Sequence, residues 1–246
     1  MVPKILVGTI FSEVKDYVIR DWYGNVMKYT HPNFDFCAVD NSKDGEYHKK
    51  ISDYFLEHKK DSNCGKVTVI HTPRTSQDSE VFMAVSANKL RDHFLEGGYT
   101  HLLYNECDVY SPPDIIERLL SHDKEIISAL FFIGAKGTSY PMISTMHTYI
   151  NKNPFMTTLG YIEGFYDIGE WHEPKPLING GLGCTLISRD VLLRIPFQHD
   201  PNLEHHHDTI FARDVWESGI DNMYVPIMCR HENQPWTLQR KLIGKL

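Results

Sequence analysis

The chain has 246 residues, 41% of them apolar and 23% charged, with a formal net charge of −7. That balance suits one large folded domain and excludes a disordered or fibrous chain. No apolar run approaches the ~18 residues a membrane span needs, and the acidic total gives no global attraction for nucleic acid or anionic lipid.

The elements follow in chain order. Residues 1–10, "MVPKILVGTI", go straight into a strand-like pattern with no room for a signal peptide, and "KILVGTIF" (4–11) predicts the first strand. Helical composition runs from there through Tyr29. "FDFCAVDNS" (34–42) predicts a second strand that stops at Asp40, Asn41 and Ser42. A helix over 46–58 has Tyr47, Ile51, Tyr54 and Phe55 at helical spacing. "KVTVIHT" (66–72) is β-branched and strand-like. The helix over 80–98 carries Val81, Val85, Leu90 and Phe94 near one face and ends at Gly97-Gly98. A fourth strand, "THLLYNECD", comes next. Strands alternating with helices at this spacing predict βαβ units and a parallel sheet.

Beyond it lie a short helix "DIIERLLSH", a strand "EIISALFF", and an irregular region from Gly134 to Pro176. Regular structure resumes at "GCTLIS", then a helix "DTIFARDVWESG" ending at Gly219, then a strand "MYVPIMCRHE". The tail "LQRKLIGKL" is basic and amphipathic. Without repeat, low-complexity tract or linker, residues 1–246 are expected to form a single domain. The cysteines at 37, 64, 107, 184 and 229 are odd in number and lack a C-x-x-C, which suits free buried thiols in a reducing cytosol.

Ligands on parallel sheets bind beyond the carboxyl ends of the strands. Those ends carry Thr9, Asp40-Asn41, Thr72-Pro73-Arg74 and Glu106-Cys107-Asp108. All are polar and all fall on one rim. Glu106-x-Asp108 after a buried strand suits a hard divalent cation, although Asp before Pro112-Pro113 is also an ordinary turn former. Asp40 offers an acceptor to a base or ribose, or serves as a plain turn residue. Arg74 offers charge to a phosphate, or is a solvated arginine. "NGGLG" (179–183) permits close backbone approach, but it precedes a strand and is no dinucleotide fingerprint. His205, His206 and His207 are consecutive, and consecutive side chains rarely face one ion. His231 instead ends a strand on the rim, where an imidazole completes a shell begun by Asp108. Asp208 starts a helix, as an N-cap or as a fixed, ionised base.

In this order the segments "ILVGTIF", "VDNS", "TPR", "SANKL", "NECDV", "NGGLGCTLIS", "HHDTIFARDVWESG" and "MCRHE" resemble the inverting, metal-dependent nucleotide-sugar glycosyltransferases of family-2 type, with a GT-A fold. The resemblance spans Ile5 to His231. It implies an α/β fold with a Rossmann-like nucleotide-binding sheet and helices on both faces, in one domain with a nucleotide-sugar-binding half over 1–110 and an acceptor-binding half over 111–246.

Residue by residue, the resemblance implies that Thr9, Asp40, Asn41 and Arg74 hold the nucleotide, supported by Asn88. Asp108 is the main metal ligand for Mn²⁺ or Mg²⁺, with His231 second and Glu106 at the first acidic position. Gly181, Leu182 and Gly183 shape the donor and acceptor pocket, with Trp236 a stacking aromatic or a packing one. Asp208 is the general base. Two positions depart from the family pattern: Glu106 replaces the first aspartate of D-x-D, and the acidic pair reads His207-Asp208.

The implied donor is a nucleotide-diphosphate sugar, UDP first. The acceptor is a glycan, or a hydroxymethylated pyrimidine in bacteriophage DNA. DNA would call for a patch made of Lys49, Lys50, Lys59, Lys60, Arg240, Lys241 and Lys245, whose bland reading is helix-surface charge. The expected location is the cytoplasm, that of the host under the phage reading. A nucleotidyltransferase would need a Gly-rich loop after the first strand, which "GTIFSEVKDY" lacks, and a Rossmann oxidoreductase would need G-x-G-x-x-G there. A non-catalytic nucleotide- or sugar-binding protein is the remaining alternative.

Overall fold

The structure is a computed structural model that describes residues 2–43, 45–59, 62–74, 79–135, 138–141, 175–176, 181–200 and 206–232. Strand β1 (Ile5–Phe11) is buried along its whole length, as its unbroken apolar run requires. The stretch read as helical through Tyr29 is shorter: a 3-10 turn at Glu13–Lys15, then α1 (Ile19–Val26). The break places Lys15 beside the rim. Next come β2 (Phe34–Asp40), α2 (Gly45–Glu57), β3 (Cys64–His71), α3 (Ser79–Glu96), β4 (His101–Asn105) and the two-residue β5 (Val109–Tyr110). The second half holds α4 (Ile115–Leu120), β6 (Ile126–Ala135), β7 (Thr138–Pro141), β8 (Lys175–Pro176), β9 (Cys184–Ser188), α5 (Arg189–Arg194), α6 (His207–Glu217) and β10 (Asn222–His231).

The strands order as β3-β2-β1-β4-β9-β6-β10-β5, with β7 paired to β6 and β8 to β10. The first four run parallel, which matches the βαβ reading. The sheet is nevertheless mixed. Strand β9 lies antiparallel to both β4 and β6, joining the two halves, and β10 returns parallel to β6. Pro226 sits where the β10–β6 register shifts, the kind of position a strand proline tolerates.

Alternation along β1 divides the core. Ile5, Val7 and Phe11 face a cluster with Trp22, Tyr23 and Phe55 under α1, α2 and α4. Leu6 and Ile10 face the cluster with Leu90, Phe94 and Val191 under α3, α5 and α6. Helix α2 buries Ile51 and Phe55 as its spacing predicts. Helix α3 buries Leu90 and Phe94 as expected, but in its first half Val85 is exposed and Phe82 and Ser86 take the core positions. Ser86 went unrecognised as a core position because it is polar, and it receives Asn41 from the neighbouring loop. All five cysteines are free and buried.

Candidate active site at the carboxyl ends of the strands

The site begins where β4 stops at Asn105, whose buried amide anchors the turn. With the amide oriented to satisfy its neighbours, Nδ2 donates to the Gly183 carbonyl (2.9 Å) and Oδ1 accepts from the Tyr29 hydroxyl (3.1 Å). Tyr29 Oη lies 2.5 Å from Ser111 Oγ, and Trp22 Nε1 donates to the Val109 carbonyl at 3.0 Å. The Glu106 N–H also donates to the Gly183 carbonyl (2.9 Å). A buried polar network satisfied in this way holds residues 105–111 in one arrangement.

His231 arrives from the far end of the sequence. Strand β5 pairs antiparallel with the end of β10, His231 opposite Val109, and the Glu232 N–H donates to the Asp108 carbonyl at 2.7 Å. This sets His231 Nε2 3.5 Å from Asp108 Oδ2. The imidazole stands edge-on to Phe131, with ring centres 5.6 Å apart. Phe131 fits only because residue 183 is glycine, since a Cβ there would overlap its ring. Glu106, Asp108 and His231 thus offer ligand atoms that all lie within 4.8 Å of one another. Two carboxylates and an imidazole form a donor set suited to Mn²⁺ or Mg²⁺.

The charges are uneven. Lys15, from the turn after β1, forms an ion pair with Asp108 Oδ2. Withdrawal from water, then the neighbouring Asp108 carboxylate, pushes Glu106 up to about 7. Burial would also raise Asp108, but the hydrogen bond from His231 and the ammonium of Lys15 outweigh it and hold that carboxyl low. Burial disfavours the Lys15 charge, and Asp108 more than restores it. One carboxyl therefore holds its proton near neutrality while the other is ionised.

Asp208 lies in the first turn of α6. The N-cap position belongs to His206, and Asp208 Oδ1 accepts the Thr209 N–H at 2.7 Å. The contact of the preceding His207 with the Tyr104 hydroxyl brings the start of α6, and Asp208 with it, beside strand β4. His207, at the position where the family carries an acid, is buried and bonded to the Tyr104 hydroxyl (3.3 Å).

The remaining residues are dispersed. Thr9 is fully buried, its hydroxyl without a hydrogen-bond partner among the described residues. Asp40 Oδ1 accepts from the Ser42 N–H (2.9 Å) and hydroxyl (2.5 Å), and Oδ2 faces His48 and His71. Asn41 reaches Ser86 Oγ of α3 at 3.5 Å. Asn88 clamps the Phe197 backbone, donating to its carbonyl (2.6 Å) and accepting its N–H (3.1 Å). Arg74 lies over the Phe82 ring. Gly181, at φ +69°, turns the chain into Leu182 and Gly183, all three buried behind Glu106. Trp236, Lys60, Arg240, Lys241 and Lys245 lie outside the described residues. Lys49 and Lys50 are exposed on α2. Lys15 escaped the sequence reading because "SEVKDY" carries no spacing signal, and His48 and His71 because each is a lone histidine in its element.

No family model matches the sequence, and no curated protein matches it. Among solved structures the chain is similar to the mannosyltransferase PcManGT from Pyrobaculum calidifontis, described in complex with GDP-Man and Mn²⁺. That likeness has a TM-score of 0.58 at 12% identity, over 98% of this chain and 61% of that one. It is also similar to S. aureus TarS, with a TM-score of 0.52 at 14% identity, over 94% of this chain and 35% of that one. The chain therefore spans less than two thirds of either neighbour's length. At such identities the likeness shows the fold: a mixed α/β glycosyltransferase fold of the GT-A kind. Among the described residues no helix is long and apolar enough to cross a membrane.

Proposed function

We propose that this chain is a divalent-metal-dependent, inverting glycosyltransferase acting on a nucleotide-diphosphate sugar. The observation that carries the reading is the convergence of Glu106, Asp108 and His231 at the carboxyl end of β4, with α6 and its Asp208 tied to β4 through His207 and Tyr104. The neighbour described with GDP-Man and Mn²⁺ supports a nucleotide-sugar donor and a divalent ion, while the family resemblance favours UDP. Asp108, His231 and Glu106 would hold the ion, which supplies positive charge against the diphosphate as it departs. Arg74 is assigned to the nucleotide, while Thr9, fully buried, acts through the scaffold. Asp40, Asn41 and Asn88 act through the scaffold, because the hydrogen bonds of their side chains go to neighbouring protein groups.

The reaction is a single displacement. Asp208 takes the proton of the acceptor hydroxyl, and the oxygen forms its bond to the anomeric carbon from the face opposite the diphosphate. The anomeric C–O bond breaks, and its electron pair leaves with the nucleoside diphosphate. The Lys15 ammonium lies close enough to the Asp108 carboxylate to share in offsetting that charge. The buried segment Gly181–Gly183 backs the turn, its Gly183 carbonyl accepting the Glu106 N–H. The acceptor is a hydroxyl of a glycan or of a hydroxymethylated pyrimidine.

The test is nucleoside diphosphate release from a panel of UDP- and GDP-sugars with Mn²⁺ or with EDTA. Turnover of one donor that needs the ion and is lost in Asp208→Asn supports the reading. Binding without turnover, on supply of glycan and DNA acceptors, would make the chain a non-catalytic binding protein.

A further inference from the structure

A second group of metal-ligating side chains lies at the ends of β2 and β3 on the same rim, and the proposed displacement does not use it. Asp40 at the end of β2, His48 on α2 and His71 at the end of β3 offer atoms that all lie within 4.8 Å of one another. Both imidazoles turn the same nitrogen to the same oxygen. His48 Nδ1 is 3.3 Å and His71 Nδ1 3.1 Å from Asp40 Oδ2, and the two rings lie 4.6 Å apart. Asp40 is fully buried, whereas the His48 and His71 side chains keep 24% and 23% of their surface exposed. The cluster is separate from the Glu106–Asp108–His231 trio: β2 and β4 are two strand positions apart, at least roughly 10 Å at ~4.8 Å per strand.

We infer that Asp40, His48 and His71 form a second, transition-metal site, fitted to Zn²⁺ and its borderline-soft relatives. Spacing is the first argument. Ligands about 2.0–2.1 Å from a tetrahedral ion stand about 3.3 Å from one another, which the Asp40–His48 and Asp40–His71 separations approach before any ion is added. An orphaned donor is the second. His48 Nδ1 is buried and points at the carboxylate, yet it makes no well-formed hydrogen bond among the described residues. A lone pair aimed at an ion would account for that position, with each ring bound through Nδ1 as its Nε2–H tautomer. The outer shell is the third. Asp40 Oδ1 is fixed by the N–H and hydroxyl of Ser42, so Oδ2 is oriented toward the histidines from outside the cluster.

Ligand chemistry separates the two sites. Two imidazoles and one carboxylate favour Zn²⁺ or Co²⁺, while two carboxylates and one imidazole favour Mn²⁺ or Mg²⁺. Because both histidines reach solvent, the ion keeps an open position for water or a ligand atom. It ties together α2 and the ends of β2 and β3. The inference stands whether or not the chain transfers sugars.

The test is a Co²⁺ titration of the full-length Asp108→Asn chain, in which the other site is impaired, followed by visible absorption. The expected result is a tetrahedral Co²⁺ spectrum that saturates at one equivalent and is displaced by Zn²⁺. Adding His48→Ala should abolish it while leaving the metal-free melting point within a few degrees. His71→Gln is the second variant, should the alanine chain fail to fold. Absence of the spectrum, or a spectrum that survives both histidine substitutions, would overturn the inference.

Discussion

Glu106→Gln removes the proton-holding carboxyl of the candidate active site, and its consequence can be worked out with sign and size. An unfolded glutamate releases its proton near pH 4.5, whereas Glu106 in the folded chain releases it near 7. Between those values the folded state carries the extra proton, so folding stability falls as pH rises, by about 1.4 kcal/mol per pH unit. The loss is complete above pH 7 and amounts to something on the order of 3 kcal/mol. Asp108, held low by His231 and Lys15, has the opposite sign, but its window lies below pH 4. Glutamine keeps the shape and has nothing to titrate. In EDTA, melting points of wild type and Glu106→Gln should agree near pH 4.5 and separate toward pH 8, where the variant melts higher by about 6–12 °C, at ~2–4 °C per kcal/mol for a chain of this size. Adding Mn²⁺ at pH 8 should close the gap from the wild-type side, because the ion needs the ionised carboxylate. Parallel pH profiles in EDTA would refute the reasoning, and Glu106 would then be an ordinary solvated turn residue.

Asp208→Asn should fold normally and lose about 10²- to 10⁴-fold in transfer, as removal of a general base does; retained turnover would pass the role to another group. Lys15→Met should lower metal-free stability by about 1–3 kcal/mol through loss of the ion pair with Asp108. The same variant should tighten Mn²⁺ binding about tenfold, since the ion no longer competes with an ammonium, and calorimetric titration reads the change directly. Gly183→Ala should cost about 1–3 kcal/mol by driving a Cβ into the Phe131 ring. Because Phe131 supports His231, it should also weaken Mn²⁺ binding, whereas a purely local packing defect would leave that affinity unchanged.

Much of this arrangement was legible in the sequence because the first half repeats one physical pattern. Apolar runs of strand length stop at polar residues, and the parallel order of β1 to β4 puts every stop on one rim. His231 is expected beside Asp108 from its place at a strand end, but the two-residue strand β5 that sets the pair is too short for any periodicity to show. Strand β9 is read at "GCTLIS", but its antiparallel direction is not, because a five-residue buried run looks the same in either direction. Lys15 becomes visible only because the helix after β1 breaks into a 3-10 turn, and the first half of α3 differs from its expected face because Ser86, a polar residue, occupies a core position bonded to Asn41. His48 and His71 lie 23 positions apart in sequence, in a helix and a strand, and only the pairing of β2 with β3 brings them to one carboxylate.

The central claim, a metal-held nucleotide diphosphate at Asp108, is tested most directly by thermal melting with UDP and GDP in the presence of Mn²⁺ or EDTA. A ligand that binds only the folded state raises the melting point by mass action, by about 2.7 kcal/mol of stability at a hundredfold excess over Kd. The account predicts a rise with one nucleotide that requires Mn²⁺ and disappears in Asp108→Ala. No rise with either nucleotide when Mn²⁺ is present, or a rise that Asp108→Ala leaves intact, would contradict it.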